Sequence, residues 1–305
     1  MISFVARRLA LMVPVLLLVS VLVFLMIHLT PGDPVQIMLG ESGASAAQIK
    51  QVRHELGLDR PLPVQYVIFM ERMLTGKERS IRTQQSVTSE FFQLFPDTLE
   101  LAFASLIVAG LIGMTLGVIA ATHPRSWVDY LSMAISFLGI SIPNFWLALV
   151  LIYIFAVDLG WLPATGGGGW KHLVLPVSVL AVQQVALIAR LVRASMLEAL
   201  QEDYVKTARA KGLQERSVWL GHALRNALLP VVTLLGLNFG YLLSGAVIVE
   251  IVFARPGIGR LIVDAIQAKD FPLVQGAILL SAVSYLAINL LTDVSYAIID
   301  PRIRD

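Results

Sequence analysis

Few residues in this sequence have a type and spacing that could support chemistry. The five histidines, His28, His54, His123, His172 and His222, form no His-x-x-x-His or Glu-x-x-His pair of the kind that binds a metal. The sequence contains no cysteine, which excludes disulfides and thiolate ligands. It also lacks a Gly-x-x-x-x-Gly-Lys-Ser/Thr loop, the motif that binds the phosphates of a nucleotide such as ATP. We therefore predict a chain with no cofactor, no metal and no catalytic residue.

The densest group of reactive side chains lies in a charged segment at 190–228. It includes Asp203-Tyr204-Val205-Lys206-Thr207-Ala208-Arg209-Ala210-Lys211-Gly212. The pattern predicts helix, turn, helix, with Gly212 in the left-handed conformation that often follows a helix. The small side chains of Ala208 and Ala210 would leave a helix surface that another protein can approach closely. A solvated basic loop would explain the lysines and arginines, but it would not explain the ordered motif.

A few polar side chains interrupt the long apolar stretches that make up most of the chain. They are Gln183, Gln184, Asn238 and Ser244. Such groups either bond between helices within a membrane or line a wet path through it. Both interpretations stay open, and the second makes these four residues candidates for a translocation path.

Composition identifies the environment in which these residues work. Hydrophobic residues make up 57% of the sequence and charged residues 14%, where a soluble domain carries about 25% charged residues. The net charge of +2 is too small to suggest a nucleic-acid partner. Leu9–Leu29 is uncharged over the length that crosses a bilayer. It exceeds the apolar region of a signal peptide and no small-x-small cleavage site follows, so we interpret it as a retained anchor helix.

Six apolar stretches predict an all-α membrane protein with six transmembrane helices. The fourth is the shortest and contains Pro176, so a re-entrant segment is an alternative there. The predicted division is an anchor helix at 1–30, an extracytoplasmic excursion at 31–97, and a five-helix core at 98–305 that includes the 190–228 loop. The six stretches are Leu9–Leu29, Leu99–Ala121, Tyr130–Val157, Leu173–Ala189, Ala227–Val249 and Val274–Thr292.

Basic residues in the short connections predict the orientation of these spans. Short loops rich in lysine and arginine stay in the cytoplasm, which places both termini and the 190–228 loop on that side. The connection at Asp158–Lys171 then lies outside. The residues that decide this are Arg7, Arg8, Arg125, Arg302 and Arg304, with Arg190, Arg193, Lys206, Arg209, Lys211, Arg216 and Arg225 in the charged loop.

The charged loop resembles the cytoplasmic coupling loop of ABC-importer permeases. Its Tyr-x-x-Thr-Ala-Arg-Ala-Lys-Gly from Tyr204, and His-x-Leu-Arg-Asn-Ala from His222, are similar to the peptide, nickel and glutathione branch. The resemblance implies the type I importer permease fold. It also implies a coupling helix near 202–212 that docks in a groove on an ATP-binding subunit. The coupling residues it implies are Glu202, Asp203, Tyr204, Thr207, Ala208, Ala210 and Gly212.

Further motifs extend the resemblance over essentially the whole chain. They are Arg7-Arg8-Leu9 with Pro14, Pro31-Gly32-Asp33-Pro34, the stretch from Glu250 to Arg260, and Asp300-Pro301-Arg302-Ile303-Arg304. Two places depart from the pattern. Lys206-Thr207-Ala208 stands where the broader importer pattern has Glu-Ala-Ala, so Glu202 or Asp203 would have to supply the acidic contact. Gly76–Ser80 lacks the usual acid, aromatic and glycine of the external turn.

The resemblance implies a pore-forming subunit of an ATP-driven importer in the cytoplasmic, or inner, membrane. The expected partners are a homologous second permease, two ATP-binding subunits that hold ATP and magnesium, an external substrate-binding protein, and membrane lipid. Peptides are the expected cargo; glutathione, nickel chelates and sugars are alternatives. An ion-coupled secondary transporter would need charged groups in the spans and inverted repeats. An intramembrane hydrolase would need a nucleophile with a base, or a set of metal ligands, at membrane depth. The sequence shows the required features of neither the secondary transporter nor the hydrolase.

Overall fold

The computed structural model describes residues 2–39 and 45–299, apart from some side chains near the N-terminus, in 229–245 and from 295 onward. Helices account for nearly all of the regular structure in this part of the chain, which contains no strand beyond one isolated bridge between Arg79 and Ser86. The predicted all-α fold is confirmed. The C-terminal motif from Asp300 to Arg304 lies outside the described residues.

Long helices alternate with short ones along the chain. Among the described residues, two segments are π-helical: Ile152–Asp158 extends α7, and Val218–Ala223 leads into α11. The helices are α1 (Ile2–Leu29), α2 (Pro34–Leu39), α3 (Ala46–Glu55), α4 (Leu62–Leu74), α5 (Val87–Thr122), α6 (Trp127–Ser141), α7 (Asn144–Leu151), α8 (Lys171–Ala199), α9 (Asp203–Ala210), α10 (Glu215–Ser217), α11 (Leu224–Val252), α12 (Ile258–Gln267) and α13 (Phe271–Ile299).

Length and apolar composition identify the helices that can cross a membrane. Among the described residues, four helices qualify alone, within α1, α5, α8 and α13, and the pair α6 and α7 qualifies as a fifth if it forms one span. α11 is 29 residues long and has no charged residue between Arg225 and Glu250. The total of six spans therefore stays a prediction. α8 is one continuous helix through Pro176, so the re-entrant alternative for that segment is wrong.

The predicted third span is broken instead of continuous. α6 and α7 meet at an angle of 103°. The cause is Pro143, whose ring clashes with a helical residue before it, so that Ile142 takes an extended conformation with φ −83° and ψ 122°. The predominantly apolar composition of Tyr130–Val157 predicts a span but does not show the break within it.

The chain divides into two compact units. One comprises the residues up to Asp97 together with those from Pro256 onward, and the other comprises Thr98–Arg255. The division falls within α5, directly after Asp97 and one residue beyond Pro96. The predicted division by topology, which assigned everything after residue 97 to a five-helix core, stays a prediction. Sequence order gave no signal that the last fifty residues pack with the first hundred.

In the first unit, apolar side chains of α1, α4 and α13 form a core. Val23, Phe24, Phe69 and Leu279 are among its buried members. Asp270 stabilises the unit at the turn that departs from the family pattern: it accepts a hydrogen bond from the Ser80 hydroxyl at 2.5 Å and from the Leu273 amide, at the start of α13, at 3.2 Å. The turn at 76–86 is thus tied to α13.

In the second unit, α8 is the central helix. Two apolar clusters lie along it, one around Leu180 and Leu242 and the other around Ile188 and Val231. α5 comes very close, because a Cβ added to Gly117 would lie 2.6 Å from the Cβ of Val192. Gly113 is equally crowded, with 2.8 Å to Ile188, while Gly110 has no neighbour within 4 Å. Of these three glycines, spaced three and four residues apart, Gly113 and Gly117 therefore make the contact with α8.

Candidate coupling segment

We define the coupling segment as residues 202–223, from Glu202 to the end of the π-helix that leads into α11. Its first part, α9, starts after Glu202, which has the extended conformation of an N-cap but makes no side-chain cap. α9 ends at Ala210, and Gly212 follows with φ +76°. The predicted short helix and left-handed glycine are both confirmed. A Cβ on Gly212 would meet nothing within 4 Å, so its backbone conformation alone favours glycine there.

One face of α9 is covered by the segment itself. Val205 and Ala208, three residues apart, are buried against Val218 of the π-helix, with Leu200 beside them. The side chain of Ala208 is 5% exposed. It therefore lies on the opposite face from the open surface that the sequence analysis expected, and its small size suits packing within the segment.

The exposed surface of the segment, which we call its outer face, is partly apolar. Tyr204, Leu213 and Leu220 are 37%, 41% and 48% exposed. Ala210 and Glu202 are also exposed. Large apolar side chains on the surface of an otherwise charged segment are typical of sites that contact another protein.

Ion pairs fix the shape of the segment. The Arg209 guanidinium donates to both carboxylate oxygens of Glu215, at 2.8 and 3.2 Å, and so links α9 to α10. These hydrogen bonds hold the pKa of the Glu215 carboxyl below its usual value. Within α9, Lys206 donates to Asp203 at 2.8 Å, and the Thr207 hydroxyl donates to the Asp203 carbonyl at 2.9 Å. The lysine that replaces the family's glutamate is thus paired with a neighbouring acid.

An open groove runs beside the start of α9. Glu202 and Tyr204 form one edge, and residues of α8 and α11 form the rest. Its acidic groups are Glu198 and Glu202, both at or near the point where α8 gives way to the coupling segment. The groove is lined by Ser195, Glu198, Ala199, Glu202, Tyr204, Asn226, Ala227 and Pro230.

Two candidates for the translocation path, Gln184 and Asn238, stand near the middle of α8 and α11, respectively. Gln184 is 1% exposed, and its Oε1 has no hydrogen-bond partner among the described residues; the same holds for Nδ2 of Asn238. Gln183 is half-buried. The side chain of Ser244 lies outside the described residues. The structure places these amides at mid-helix depth in neighbouring helices, and their lining of a path stays a prediction.

Sequence reasoning missed an ion pair between α6 and α8. Asp129, which is 3% exposed, accepts from the Arg193 Nε at 2.6 Å and from its Nη2 at 2.7 Å. A signal was available, because Asp129 is the only acidic residue between His123 and Val157. It also missed two polar contacts between α5 and the end of α11: Thr98 donates to Glu250 at 2.6 Å, and Arg255, just beyond α11, donates to Glu100 at 2.7 Å.

Comparison with known families decides what kind of protein carries this segment. The family described as "Binding-protein-dependent transport system inner membrane component" matches residues 113–305, and its N-terminal companion family matches residues 1–102. The chain belongs to the binding-protein-dependent transport permeases. This permease is a subunit of an ABC importer, a membrane-embedded transport protein rather than an enzyme.

Curated relatives of the permease match it along its full length. It is 45% identical over 305 residues to the glutathione transport system permease protein GsiC of Pectobacterium atrosepticum, covering 100% of this chain and 99% of that one. The identity and coverage are the same for GsiC of Salmonella typhimurium and of Escherichia coli K12. These relatives support the predicted branch of the family.

Solved structures support the fold of the permease. An inward-facing form of the MetNI methionine ABC transporter matches with a TM-score of 0.59 at 20% identity, covering 68% of this chain and 95% of that one. An amino acid ABC transporter matches with a TM-score of 0.54, also at 20% identity, covering 70% and 94%. Both are described as ABC transporters, and at this identity the likeness concerns the fold alone.

Proposed function

We propose that this permease imports peptides, glutathione among them, in an ATP-driven assembly. The proposed partners are a homologous second permease, two ATP-binding subunits and an external substrate-binding protein. Support for the cargo comes from the curated relatives, which carry the name of glutathione transport and are 45% identical over the whole chain. Nickel chelates and sugars are the remaining cargo alternatives.

The observation that carries the mechanism is the two-sided character of the coupling segment. Its inner face is held by Val205, Ala208 and Val218, and its outer face presents Tyr204, Leu213 and Leu220. Because its inner face is packed, the segment can be displaced as a rigid unit. The exposed apolar side chains provide contact area for a partner protein. We propose that the outer face docks on the ATP-binding subunit. The inner face then passes the movement to α8 and α11, which flank the segment.

The orientation proposed with this mechanism places the coupling segment and both termini in the cytoplasm, where ATP is available. The basic residues of the segment agree with that side, since short cytoplasmic loops are enriched in lysine and arginine. Arg209 and Arg216 are two of them. In this orientation the excursion at 31–97 faces outward, towards the substrate-binding protein.

The test changes the outer face and leaves the inner face intact. Tyr204→Ser combined with Ala210→Glu should weaken retention of the ATP-binding subunit when the tagged permease is purified from its own membrane. Leu74→Ser is the matched control, because Leu74 is 81% exposed but lies in the excursion. Full retention of the ATP-binding subunit by the double variant would contradict docking at this face.

Cargo is tested separately in vesicles that contain the purified assembly and its binding protein. We expect ATP-dependent uptake of labelled glutathione and of a labelled dipeptide, and no uptake when ATP is omitted. Uptake driven by an ion gradient without ATP would instead support a secondary transporter. Uptake of a nickel chelate or a sugar, without uptake of either peptide, would reject the proposed cargo.

A further inference from the structure

The ion pair between Asp129 and Arg193 is bidentate and connects α6 to α8. Two parallel hydrogen bonds of 2.6 and 2.7 Å connect the guanidinium and the carboxylate, the bidentate arrangement that is the strongest form of this pair. The backbone amide of Arg125 also donates to Asp129, at 3.0 Å. Arg125 adopts φ +60° in the turn that precedes α6, an uncommon conformation for a residue other than glycine. Asp129 thus fixes both that turn and the neighbouring helix.

This ion pair lies at one end of a close contact between α6 and α8. Residues Asp129, Ser132, Ser136 and Gly139 are the buried residues of α6, and their spacing of three and four places them on one helix face. At the other end of that face, a Cβ on Gly139 would lie 3.0 Å from Val182. Small side chains let the two antiparallel helices approach closely over about 15 Å, and the ion pair fixes their register.

α8 leads directly into the coupling segment. Arg193 is six residues before the end of α8 at Ala199, and α9 begins at Asp203. Leu200, in the short connection, packs against the buried inner face of the coupling segment. The Asp129 contact is therefore within two helical turns of the point at which a movement of the segment would reach α8.

We propose that Asp129 and Arg193 are positioning residues that make α6 follow α8 when the coupling segment moves. The proposal rests on the proposed docking of the coupling segment. It adds a route by which the movement reaches α6, a helix that is not adjacent to that segment in the sequence. Without the pair, α8 would move while α6 lagged behind. ATP would then be hydrolysed with little transport.

The experiment measures glutathione uptake and ATP hydrolysis by the same purified assembly in vesicles. Asp129→Asn and Arg193→Gln should each retain the ATP-binding subunit and its hydrolysis. Each should also lower uptake per ATP by about fivefold or more, the lower end of coupling between distant sites. Arg193→Lys, which keeps the charge but loses the bidentate geometry, should fall between Arg193→Gln and the parent.

Asp293→Asn is the matched control, since Asp293 also accepts from an arginine, Arg8, at 2.9 Å but joins α1 to α13. It should leave uptake per ATP unchanged. A normal ratio in Asp129→Asn would overturn the proposal, and so would loss of the ATP-binding subunit from that variant, which would indicate a merely structural role. Failure of the docking proposal gives a different result, because the Tyr204 and Ala210 double variant would then keep its ATP-binding subunit.

Discussion

Gly212 shows how a single residue determines the shape of the coupling segment. Its φ of +76° is a left-handed backbone conformation, which favours glycine. The space around it is open, so a side chain would meet no neighbour. We expect Gly212→Val to cost about 1–2 kcal/mol, because a β-branched residue is disfavoured in the left-handed region. Gly212→Asn should be better tolerated, since asparagine enters that region more readily. ATP hydrolysis and uptake, measured on the same vesicles, should show partial uncoupling in Gly212→Val only.

Gly221 provides the control for this prediction. It lies in the π-helix of the same segment, and a Cβ there also meets nothing within 4 Å, but its φ is outside the left-handed range. Gly221→Val should therefore transport at close to the parental rate. Equal losses in Gly212→Val and Gly221→Val would mean that bulk, and not backbone conformation, is what the segment rejects.

Glu78 offers a residue-scale test of the first unit. Burial raises the pKa of its carboxyl, the charge of Arg72 opposes that shift, and the charge of Asp270 adds to it. Because the folded-state pKa is raised, the contribution of Glu78 to stability is present at low pH and is lost as the pH rises through that value. Glu78→Gln, which is always neutral, should therefore raise the thermal unfolding midpoint at about pH 8 and change it less at about pH 5.

The measurement for Glu78 is thermal unfolding of the detergent-purified protein across this pH range. Glu71→Gln is a suitable control, since Glu71 is an exposed glutamate on the adjacent α4. We expect it to shift the midpoint little at any pH. A Glu78→Gln variant that is less stable than the parent at high pH would show that the carboxylate makes a favourable contact that outweighs its burial.

At the scale of elements, the contact between α5 and α8 makes a sharp prediction from three glycines. Gly117→Ala would place a Cβ 2.6 Å from Val192, and Gly113→Ala would place one 2.8 Å from Ile188. Each should destabilise the protein by about 1–3 kcal/mol, the usual cost of overpacking. Gly110→Ala, with no neighbour within 4 Å, should be neutral or slightly stabilising. The measurement is the thermal unfolding midpoint of the three variants. A decrease of the midpoint in Gly110→Ala equal to that in the other two would refute the packing explanation.

The elements also show what a sequence can and cannot predict. Long uncharged stretches locate α1, α5, α8, α11 and α13 because a bilayer demands a minimum length of apolar helix. The break between α6 and α7 was missed although Pro143 was visible, since proline is tolerated within membrane helices, as in α1, α8 and α11. Whether a proline bends a helix or fits within it depends on neighbouring helices. The pattern of one helix does not contain that information.

The candidate site shows the same limit in finer detail. The motif from Asp203 to Gly212 predicted the helix and its end, because local chemistry determines both. It did not predict that Ala208 faces inward, since its partner Val218 lies ten residues further on, beyond a turn. Nor did it predict the pair of Asp129 and Arg193, which are 64 residues apart. Contacts between distant parts of the chain depend on the packing of helices that look alike in sequence.

At the scale of the whole molecule, the orientation of the chain is the proposal on which the others depend, and the absence of cysteine makes it directly testable. A single cysteine can be introduced without any native thiol to confuse the result. Leu74→Cys, in the excursion, and Lys206→Cys, on the coupling segment, both replace exposed side chains. In intact cells, or in spheroplasts if an outer membrane is present, a membrane-impermeant maleimide should label Leu74→Cys only. It should label Lys206→Cys after the membrane is opened.

The reversed labelling pattern would place the coupling segment outside the cell, where no ATP-binding subunit could reach it. Docking on that subunit would then be excluded, together with the transmission through Asp129 and Arg193 that depends on it. Labelling of both positions in intact cells would point to leaky membranes, and a cytoplasmic marker protein measured in the same sample separates that artefact from a true result. The expected pattern would leave the outer face of the segment, which includes Tyr204, on the side where ATP is hydrolysed.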